Sequence, residues 1–429
     1  MFPPLLLLLL LLPQQHSVAV GYIVEPPTAS DLSIPRERFV LTEYGGRGDG
    51  LTLNTDAFHA AVSAIAAAGG GELYVPPGVW LTTGFALTNH MSIFLERGAT
   101  ILGALPNCTR WRPRNDSCIS YPARYPAACR GGPTHTEDRG TGVDERSSGY
   151  EPIIGGWNLT DVLITGNNGT IAGQGDIWWS GHWPYGRPHA LLFSRCQRVV
   201  VANIAIKDSP FWSLRFWASQ QLRAANLTIT ASRHVFNNDG VDVDSSSHVV
   251  IEHLYYDGGD DVVALKSGMC EAGEVFNTPT ANVRIEHVVA RTRDACFCTG
   301  SEDAGGTHNV TVKNLSCRDS AKGILLKDSV PKSNMTFSTI RLYNISNYWD
   351  GKLDPGVGLT IQGVDMISFT DVIGMLVPTA GTLSRVRGAS FSNISIEPGG
   401  AKHGFRCGGN VSDVRTTGSV SPPLCDTRG

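Results

Sequence analysis

One short pattern recurs from Val162 to Ile396: an alternating strand, a polar turn and a second short strand. The steps from the copy at 199 to the next four copies are 23, 27, 34 and 27 residues long. A solenoid of parallel strands tolerates such variation, because each coil can extrude a loop of a different length. The pattern predicts an all-β, single-domain parallel β-helix. The copies begin at Val162, Val199, Leu222, Val249, Val283 and Val310, with looser ones at Met335, Ile367 and Ala389.

The alternative fold for strands of this length is an antiparallel sandwich. Two-residue hairpin signals are scarce in the chain, which disfavours that alternative. The composition also favours an all-β chain with many turns, with 48 glycines, 24 prolines and only 17% charged residues among 429. A net charge of −4 provides no basic field, so the sequence argues against nucleic acid as a partner.

The segment from Thr55 to Ala68 has the features of a helix that caps the solenoid. Phe58, Val62 and Ile65 share one face, and the three glycines at 69–71 end the helical pattern. A terminal helix protects the open edge and core at the end of a solenoid. We therefore expect a β-helix over 40–398, with an irregular loop at 105–150 and a loop tail at 399–429.

The first residues resemble a secretion signal. Eight leucines run from Leu5 to Leu12, which is too short to span a bilayer and fits a signal peptide over 1–20. Ten cysteines and eleven Asn-x-Ser/Thr sequons also fit a secreted chain. We expect an extracellular protein with disulfides and no membrane segment after the signal is removed. Asn-x-Ser/Thr also recurs simply because coils begin with Asn in a turn, and Cys407 and Cys425 are a plausible disulfide pair.

Two acidic turns are the candidate centre of chemistry. The first is Asn-Asn-Asp-Gly at 237–240, and the second is Gly-Asp-Asp at 259–261. Equivalent positions on successive coils stack at roughly 4.8 Å, so Asp239, Asp260 and Asp261 are expected to lie close together. Clustered carboxylates raise at least one pKa, which keeps a carboxyl protonated as an acid. The nearby Asp242 and Asp244 are instead expected to bond backbone amides, as Asp and Asn ladders do in solenoid turns.

The order of several motifs resembles glycoside hydrolase family 28, the polygalacturonases and related pectin hydrolases. The likeness extends from about Tyr44 to Cys425 and includes the two acidic turns. It implies a right-handed parallel β-helix that hydrolyses galacturonan-type chains with inversion. We expect a monomer that acts on anionic pectic polysaccharide without a cofactor or metal. The other matching segments are Tyr44–Gly50, Asn54–Asp56, Gly169–Trp179, Arg187–Pro188, Asp208–Trp212 and Ala264–Gly268.

The resemblance also implies roles for single residues. Asp260 corresponds to the general acid, and Asp239 and Asp261 to the groups that activate water. Asn237 is a candidate for orienting a water or a sugar hydroxyl, although an Asn that only forms the turn is equally consistent. The candidates for binding anionic sugar groups are Lys327, Lys266 and Arg215.

The chain departs from the family pattern at three positions, one of which is Arg215, where many members of the family have histidine. Ala295 stands at the position of the Gly-His-Gly histidine, which similar plant-type members also lack. Leu325 stands at the position of an arginine that holds a substrate carboxylate in the family. These changes leave two alternatives open: a cell-wall binding protein without catalysis, or a hydrolase of another pectic backbone such as rhamnogalacturonan. A lyase would need a calcium site, and the sequence shows no clear carboxylate set for one.

Overall fold

The computed structural model describes the residues at 25–105, 150–180, 187–268, 270–300, 302–327, 332–349, 352–355, 357–397 and 403–424. Within these ranges 27 strands wind into a parallel β-helix. The expected signal peptide, nearly all of the 105–150 loop and Cys425 lie outside the described residues. Every helix in the described part of the chain is too short or too polar to span a bilayer.

The N-terminal coils contain the capping helix and nine strands. Two short 3-10 helices, Ala29–Asp31 and Leu41–Tyr44, accompany α1 at Thr55–Ala67. The strands are β1 Arg38–Val40, β2 Gly71–Val75, β3 Gly78–Thr82, β4 Phe85–Ala86, β5 Met91–Leu95, β6 Ala99–Gly103, β7 Ile154–Trp157, β8 Thr160–Gly166 and β9 Thr170–Ala172.

The central coils alternate short and long strands. Two short helices, α2 at Gly175–Trp179 and α3 at Cys270–Phe276, lie in the connections. The strands are β10 Leu191–Ser194, β11 Gln197–Lys207, β12 Leu214–Trp217, β13 Gln220–Thr230, β14 Val241–Asp244, β15 Ser247–Gly258, β16 Val263–Lys266, β17 Thr280–Thr292, β18 Ala295–Thr299, β19 Thr307–Ser320 and β20 Lys322–Leu326.

The last coils have longer strands that bend around corners. Apart from β22, which pairs antiparallel with β21, they continue the parallel stack. The strands are β21 Lys332–Trp349, β22 Lys352–Pro355, β23 Val357–Met375, β24 Thr379–Ile396, β25 His403–Cys407, β26 Val411–Ser412 and β27 Arg415–Ser421.

Strand register confirms the predicted repeat residue by residue. Val199 pairs with Leu222, Leu222 with Val249, and so on through every copy that the sequence pattern identified. Inward residues of these strands are buried and form one continuous core. A file of contacting aromatic rings crosses the C-terminal half of that core, stacked in its middle and edge-on at both ends. It is formed by Phe297, Phe337, Phe369, Phe391 and Phe405.

Asparagines at the coil corners explain why sequons recur. Asn203, Asn226 and Asn314 adopt left-handed backbone angles, with φ between 51° and 58°, where each long strand turns. Asn and Asp tolerate this conformation better than other side chains. The side chain of Asn226 donates a hydrogen bond to that of Asn203 on the previous coil, at 2.9 Å. The corner geometry is therefore sufficient to explain this sequon, and glycan attachment stays a prediction.

Helix α1 caps the solenoid as the sequence predicted. Phe58, Val62 and Ile65 are buried, and the ring of Phe58 stacks on Phe85 with centroids 4.3 Å apart. Asn54 occupies the N-cap position, but its side chain instead bonds the backbone of Arg47 and Thr52.

The prediction of a loop tail is wrong for 403–421. Strand β25 pairs in parallel with the start of β24, and β26 and β27 pair with its later residues. The segment therefore adds a final coil over the exposed end of the core. The sequence pattern missed this coil because its last strand, β27, has mostly exposed polar residues and lacks the alternating apolar signal.

Candidate active site

The two acidic turns lie side by side at the start of neighbouring strands. Asp239 precedes β14, and Asp260 and Asp261 precede β16. Because Val241 pairs with Val263, the turns stack, and the N–H of Gly240 donates to the carbonyl of Asp261 at 2.9 Å. One oxygen from each of the three carboxylates lies within 4.8 Å of the others. The structure thus brings the three aspartates together, while their roles stay predictions.

Residues that the sequence reasoning overlooked hold the two turns against each other. The buried side chain of Asn238 accepts a hydrogen bond from the N–H of Gly259 at 3.0 Å. The hydroxyl of Tyr256 donates to the carbonyl of Asn238 and accepts from the N–H of Asp260. A Cβ on Gly259 would lie 2.0 Å from the carbonyl oxygen of Val235, so only glycine fits there. Asn238 belongs to the quoted turn, but nothing in the sequence pointed to Tyr256.

Asp260 has the environment of a carboxyl that keeps its proton. Its Oδ2 accepts the N–H of Asn237 at 2.7 Å, and its Oδ1 accepts the N–H of Asp261 at 2.8 Å. Burial and the neighbouring Asp261 and Asp294 raise the pKa of Asp260 to about 7, against the opposing effect of the two N–H groups. Asn237 therefore contributes through its backbone, whatever its side chain does.

Asp261 has the opposite character, although it is more deeply buried. Burial would raise its pKa, but the Lys327 cation and a hydrogen bond from Cys298 hold the pKa below its usual value. The Nζ of Lys327 lies 3.7 Å from Oδ2, and the thiol of Cys298 lies 3.0 Å from the same oxygen. The N–H of Ala295 donates to Oδ1 at 3.2 Å.

Asp239 is buried beside other acids, and its pKa is raised well above the usual value. Burial is the main cause, followed by the charges of Asp242 and Asp260. The nearest cation is Lys266, whose Nζ lies 3.9 Å from Oδ2. The three aspartates therefore separate into one ionised group, Asp261, and two that favour the protonated form.

Lys266 lies inside a network of carboxylates. Its Nζ is 3.0 Å from Glu302 and 3.4 Å from Asp242, and only 5% of its side chain is exposed. Burial would lower the pKa of Lys266, but these acids and Asp239 hold it well above the usual value. The ring of Trp212 packs 4.2 Å from the ammonium. This geometry suits an internal counter-ion. Lys327, whose side chain is 30% exposed, is the more accessible of the two lysines predicted to bind an anionic sugar.

Arg215 is also engaged within the protein. Its Nη2 lies 2.6 Å from Asp244, and its guanidinium stacks 4.9 Å from the ring of Trp212. Asp244 also accepts the N–H of Gly268 at 3.1 Å, as expected for a turn-stabilising aspartate. The same expectation is wrong for Asp242. Its carboxylate accepts no hydrogen bond within the described residues and lies 3.4 Å from the Nζ of Lys266. Lys266 reaches it because it lies on the same sheet face of the neighbouring coil, two residues beyond the register partner of Asp242.

A cationic and aromatic rim borders the acidic turns, and sequence reasoning did not find it. Phe236, the residue before the first turn, is 48% exposed. The guanidinium of Arg293 lies 5.4 Å from its ring centroid, and Arg187 donates to its carbonyl at 3.1 Å. Arginine and aromatic groups beside carboxylates suit a sugar chain that carries negative charge.

The compact carboxylate cluster would also suit a divalent cation by spacing alone. Lys327 and Lys266 already supply positive charge to two of the three carboxylates. The absence of a metal requirement stays a prediction, and activity in the presence of a chelator tests it.

Adjacent carboxyls whose pKa values are shifted in opposite directions, beside a third acid on the face of a parallel β-helix, fit the acid and base of a glycoside hydrolase. The model of the family "Glycosyl hydrolases family 28" matches residues 126–350. A protein named "Probable polygalacturonase" from Vitis vinifera is 32% identical over 398 residues, which span 88% of this chain and 76% of that one. The chain belongs to glycosyl hydrolases family 28, enzymes that hydrolyse O-glycosyl bonds.

Solved structures agree with this fold. A polygalacturonase from Erwinia carotovora superposes with a TM-score of 0.66 at 18% identity, covering 92% of this chain and 98% of that one. An exopolygalacturonase from Thermotoga maritima gives a TM-score of 0.59 at 20% identity, covering 91% and 93% of the two chains. At these identities the likeness supports the parallel β-helix and nothing finer.

Proposed function

We propose that the protein is a secreted hydrolase of pectic polysaccharide that cleaves galacturonan-type chains with inversion at the anomeric carbon. The observation that carries this proposal is the opposite pKa shift of two adjacent carboxyls, raised for Asp260 and lowered for Asp261. Acid/base hydrolysis needs this difference, because one group must give a proton while the other takes one. The names of the relatives, which are polygalacturonases, supply the substrate class.

The proposed reaction uses three carboxyls in distinct roles. Asp260 gives its proton to the glycosidic oxygen as the bond to the anomeric carbon breaks. Asp261 takes a proton from a water, whose oxygen attacks that carbon from the opposite face. The resemblance gives Asp239 a part in activating the water. Because its pKa is raised, we assign it instead a path for the proton to return from Asp261 to Asp260 after product leaves. Lys327 balances the charge on Asp261 until Asp261 takes that proton.

The carboxylate spacing does not by itself fix the stereochemistry. Inverting enzymes usually separate the two carboxyls by about 6.5–9.5 Å, whereas the closest oxygens of the three acids lie within 4.8 Å here. Inversion in this proposal rests on the family resemblance and on the need to place a water opposite the acid.

Secretion and the domain limits belong to the same proposal. The leucine run within 1–20 supports a cleaved signal, and the disulfide between Cys296 and Cys317 supports an oxidising compartment. We keep 40–398 as the catalytic β-helix. The coil at 403–421 extends it at the C-terminal end.

Leu325 favours a second candidate substrate. It replaces the arginine that the family resemblance led us to expect, and it packs against Ala264, Ala295 and Cys298. An apolar group beside the acids suits a sugar without a free carboxylate at that subsite, such as rhamnose or a methyl-esterified unit. A hydrolase of a rhamnose-containing pectic backbone is therefore the second candidate.

Product analysis on a small panel of polymers tests the proposal. Homogalacturonan, methyl-esterified pectin and rhamnogalacturonan are incubated with wild type and Asp260→Asn, and products are identified by mass and NMR. We expect saturated oligosaccharides from wild type, and a loss of roughly 10²–10⁴-fold in rate from the variant. Polymer binding without any new reducing end would indicate the non-catalytic alternative, and unsaturated products would indicate a lyase.

A further inference from the structure

Two of the three departures from the family pattern lie in one small apolar cluster behind Asp261. Ala295 and Leu325, which replace a histidine and an arginine, pack with Ala264 and Cys298. Strand register explains the contact, because Cys298 pairs with Ala264 on one side and with Leu325 on the other. The two changes are therefore a single structural unit, and Cys298 is its only polar member.

Cys298 points its thiol at the carboxylate of Asp261. The Sγ lies 3.0 Å from Oδ2, and the side chain has no exposed surface. An ionised carboxylate can only accept hydrogen bonds, so the thiol must be the donor. Cys298 is not in a disulfide, whereas Cys296 two residues earlier is bonded to Cys317.

The thiol is held in its neutral, donating form. Burial raises the pKa of Cys298 well above its usual value, and the adjacent charge of Asp261 adds to the effect. Three apolar side chains pack against Cys298 in this cluster. Oδ1 is fixed independently by the N–H of Ala295.

We propose that Cys298 is a positioning residue of the active site, whose thiol fixes the orientation in which the Asp261 carboxylate faces the attacking water. The inference rests on the proposed function, since it assigns Asp261 as the base. Asp261 is then held by a backbone N–H on one oxygen and a thiol on the other. Lys327 approaches the second oxygen from two coils further along the solenoid.

Other charged groups around Asp261 remain in place when Cys298 is changed, so an effect on the base can be attributed to the thiol. They come from the same turn, the adjacent acidic turn, β14, β16, the residue before β18, and β20 with the residue after it, and they are Asp260, Asp239, Asp242, Lys266, Asp294, Lys322 and Lys327.

The pH dependence of turnover tests the role. In Cys298→Ala the ionised carboxylate loses a donor in a buried site, so we expect the acidic limb of kcat to move up by about one pH unit. We also expect kcat to fall about tenfold. Cys298→Ser keeps a donor of similar size and should restore the wild-type limb to within a few tenths of a unit.

Cys196 provides a matched control. It is the other free, buried cysteine of the described residues, and its thiol donates to the carbonyl of Ser194. Cys196→Ala should leave the acidic limb unchanged even if it lowers stability. An unchanged limb in Cys298→Ala, or an equal shift in Cys196→Ala, would overturn the positioning role.

A spectroscopic measurement separates this inference from the proposed function. The S–H stretching band of Cys298, obtained by infrared difference between wild type and Cys298→Ser, should lie at the lower frequency of a thiol that donates to a carboxylate. The band should move to higher frequency in Asp261→Asn. If wild type cleaves no pectic polymer yet this shift occurs, the contact stands and the proposed function fails. A band that is unaffected by Asp261→Asn would overturn the contact itself.

Discussion

Replacing Asp260 by asparagine should reverse its effect on stability between acid and alkaline pH. The pKa of Asp260 is raised from 3.8 to about 7 in the folded protein. Since one pKa unit corresponds to about 1.4 kcal/mol, ionising this carboxyl costs the folded state at most about 4 kcal/mol at pH 8. The sign follows from linkage: a raised pKa contributes stability below pH 3.8, and that stability is lost as pH rises through 7.

The asparagine variant avoids this loss but gives up part of the hydrogen bonding. Its single carbonyl oxygen cannot accept the N–H groups of both Asn237 and Asp261, which costs about 1–3 kcal/mol. At pH 4 only this cost applies, so Asp260→Asn should be less stable than wild type by about 1–3 kcal/mol. At pH 8 the variant avoids the cost of ionising a buried Asp260, and this gain exceeds the loss of hydrogen bonding. The variant should therefore be more stable than wild type by about 1–3 kcal/mol.

Urea unfolding at pH 4 and pH 8, with disulfides intact, measures the two differences in free energy of unfolding. Asp413→Asn, at an exposed carboxylate of the last coil, is the control and should show no change of sign. A variant that is destabilised equally at both pH values would refute the reasoning, because it would show that Asp260 is ionised in the fold without penalty.

Three further predictions concern activity and the charged network. Wild-type kcat should fall as pH rises above about 7, because Asp260 then loses its proton. Toward acid pH, activity should persist to below pH 3.8, because the pKa of Asp261 is lowered. A pH–rate profile with both limbs near pH 4 would contradict this prediction. Lys266→Met should lower the free energy of unfolding by about 3–5 kcal/mol, since it leaves buried carboxylates without a positive partner. The control is Lys313→Met, at an exposed lysine. A raised KM without loss of stability would instead show that Lys266 binds substrate. Leu325→Arg should raise the ratio of kcat/KM on homogalacturonan to that on rhamnogalacturonan about tenfold. Leu325→Met is the control for side-chain size. Equal effects on both polymers would exclude a role of this position in specificity.

The fold was predictable because its stabilising contacts repeat in the sequence. Each coil begins with an apolar strand and turns at a residue that tolerates a left-handed backbone, so the amino-acid pattern alone aligns Val199, Leu222 and Val249. The final coil escaped prediction because its last strand has no such apolar alternation and relies on pairing with β24.

From the sequence, the carboxylates of the two acidic turns could be predicted, but not the residues that surround them. The stacking of Asp239 with Asp261 follows from the repeat, but the environment of each carboxyl depends on residues from other coils. Glu302 holds Lys266, and Cys298 and Lys327 hold Asp261, across separations that no local pattern encodes. Those contacts lower the pKa of Asp261 relative to that of Asp260, and so give a physical basis for roles that the sequence had assigned only through the family resemblance.

Proton NMR of the earliest products tests most directly whether Asp260 and Asp261 act as acid and base on opposite faces of one sugar. Wild type is mixed with the pectic oligosaccharide that it cleaves best, and the anomeric signal of the new reducing end is followed before mutarotation. We predict that the first product carries the β configuration, inverted from the α-linked substrate, and that Asp260→Asn yields no signal. A first product that retains the α configuration, or an undiminished signal from the variant, would contradict the assignment.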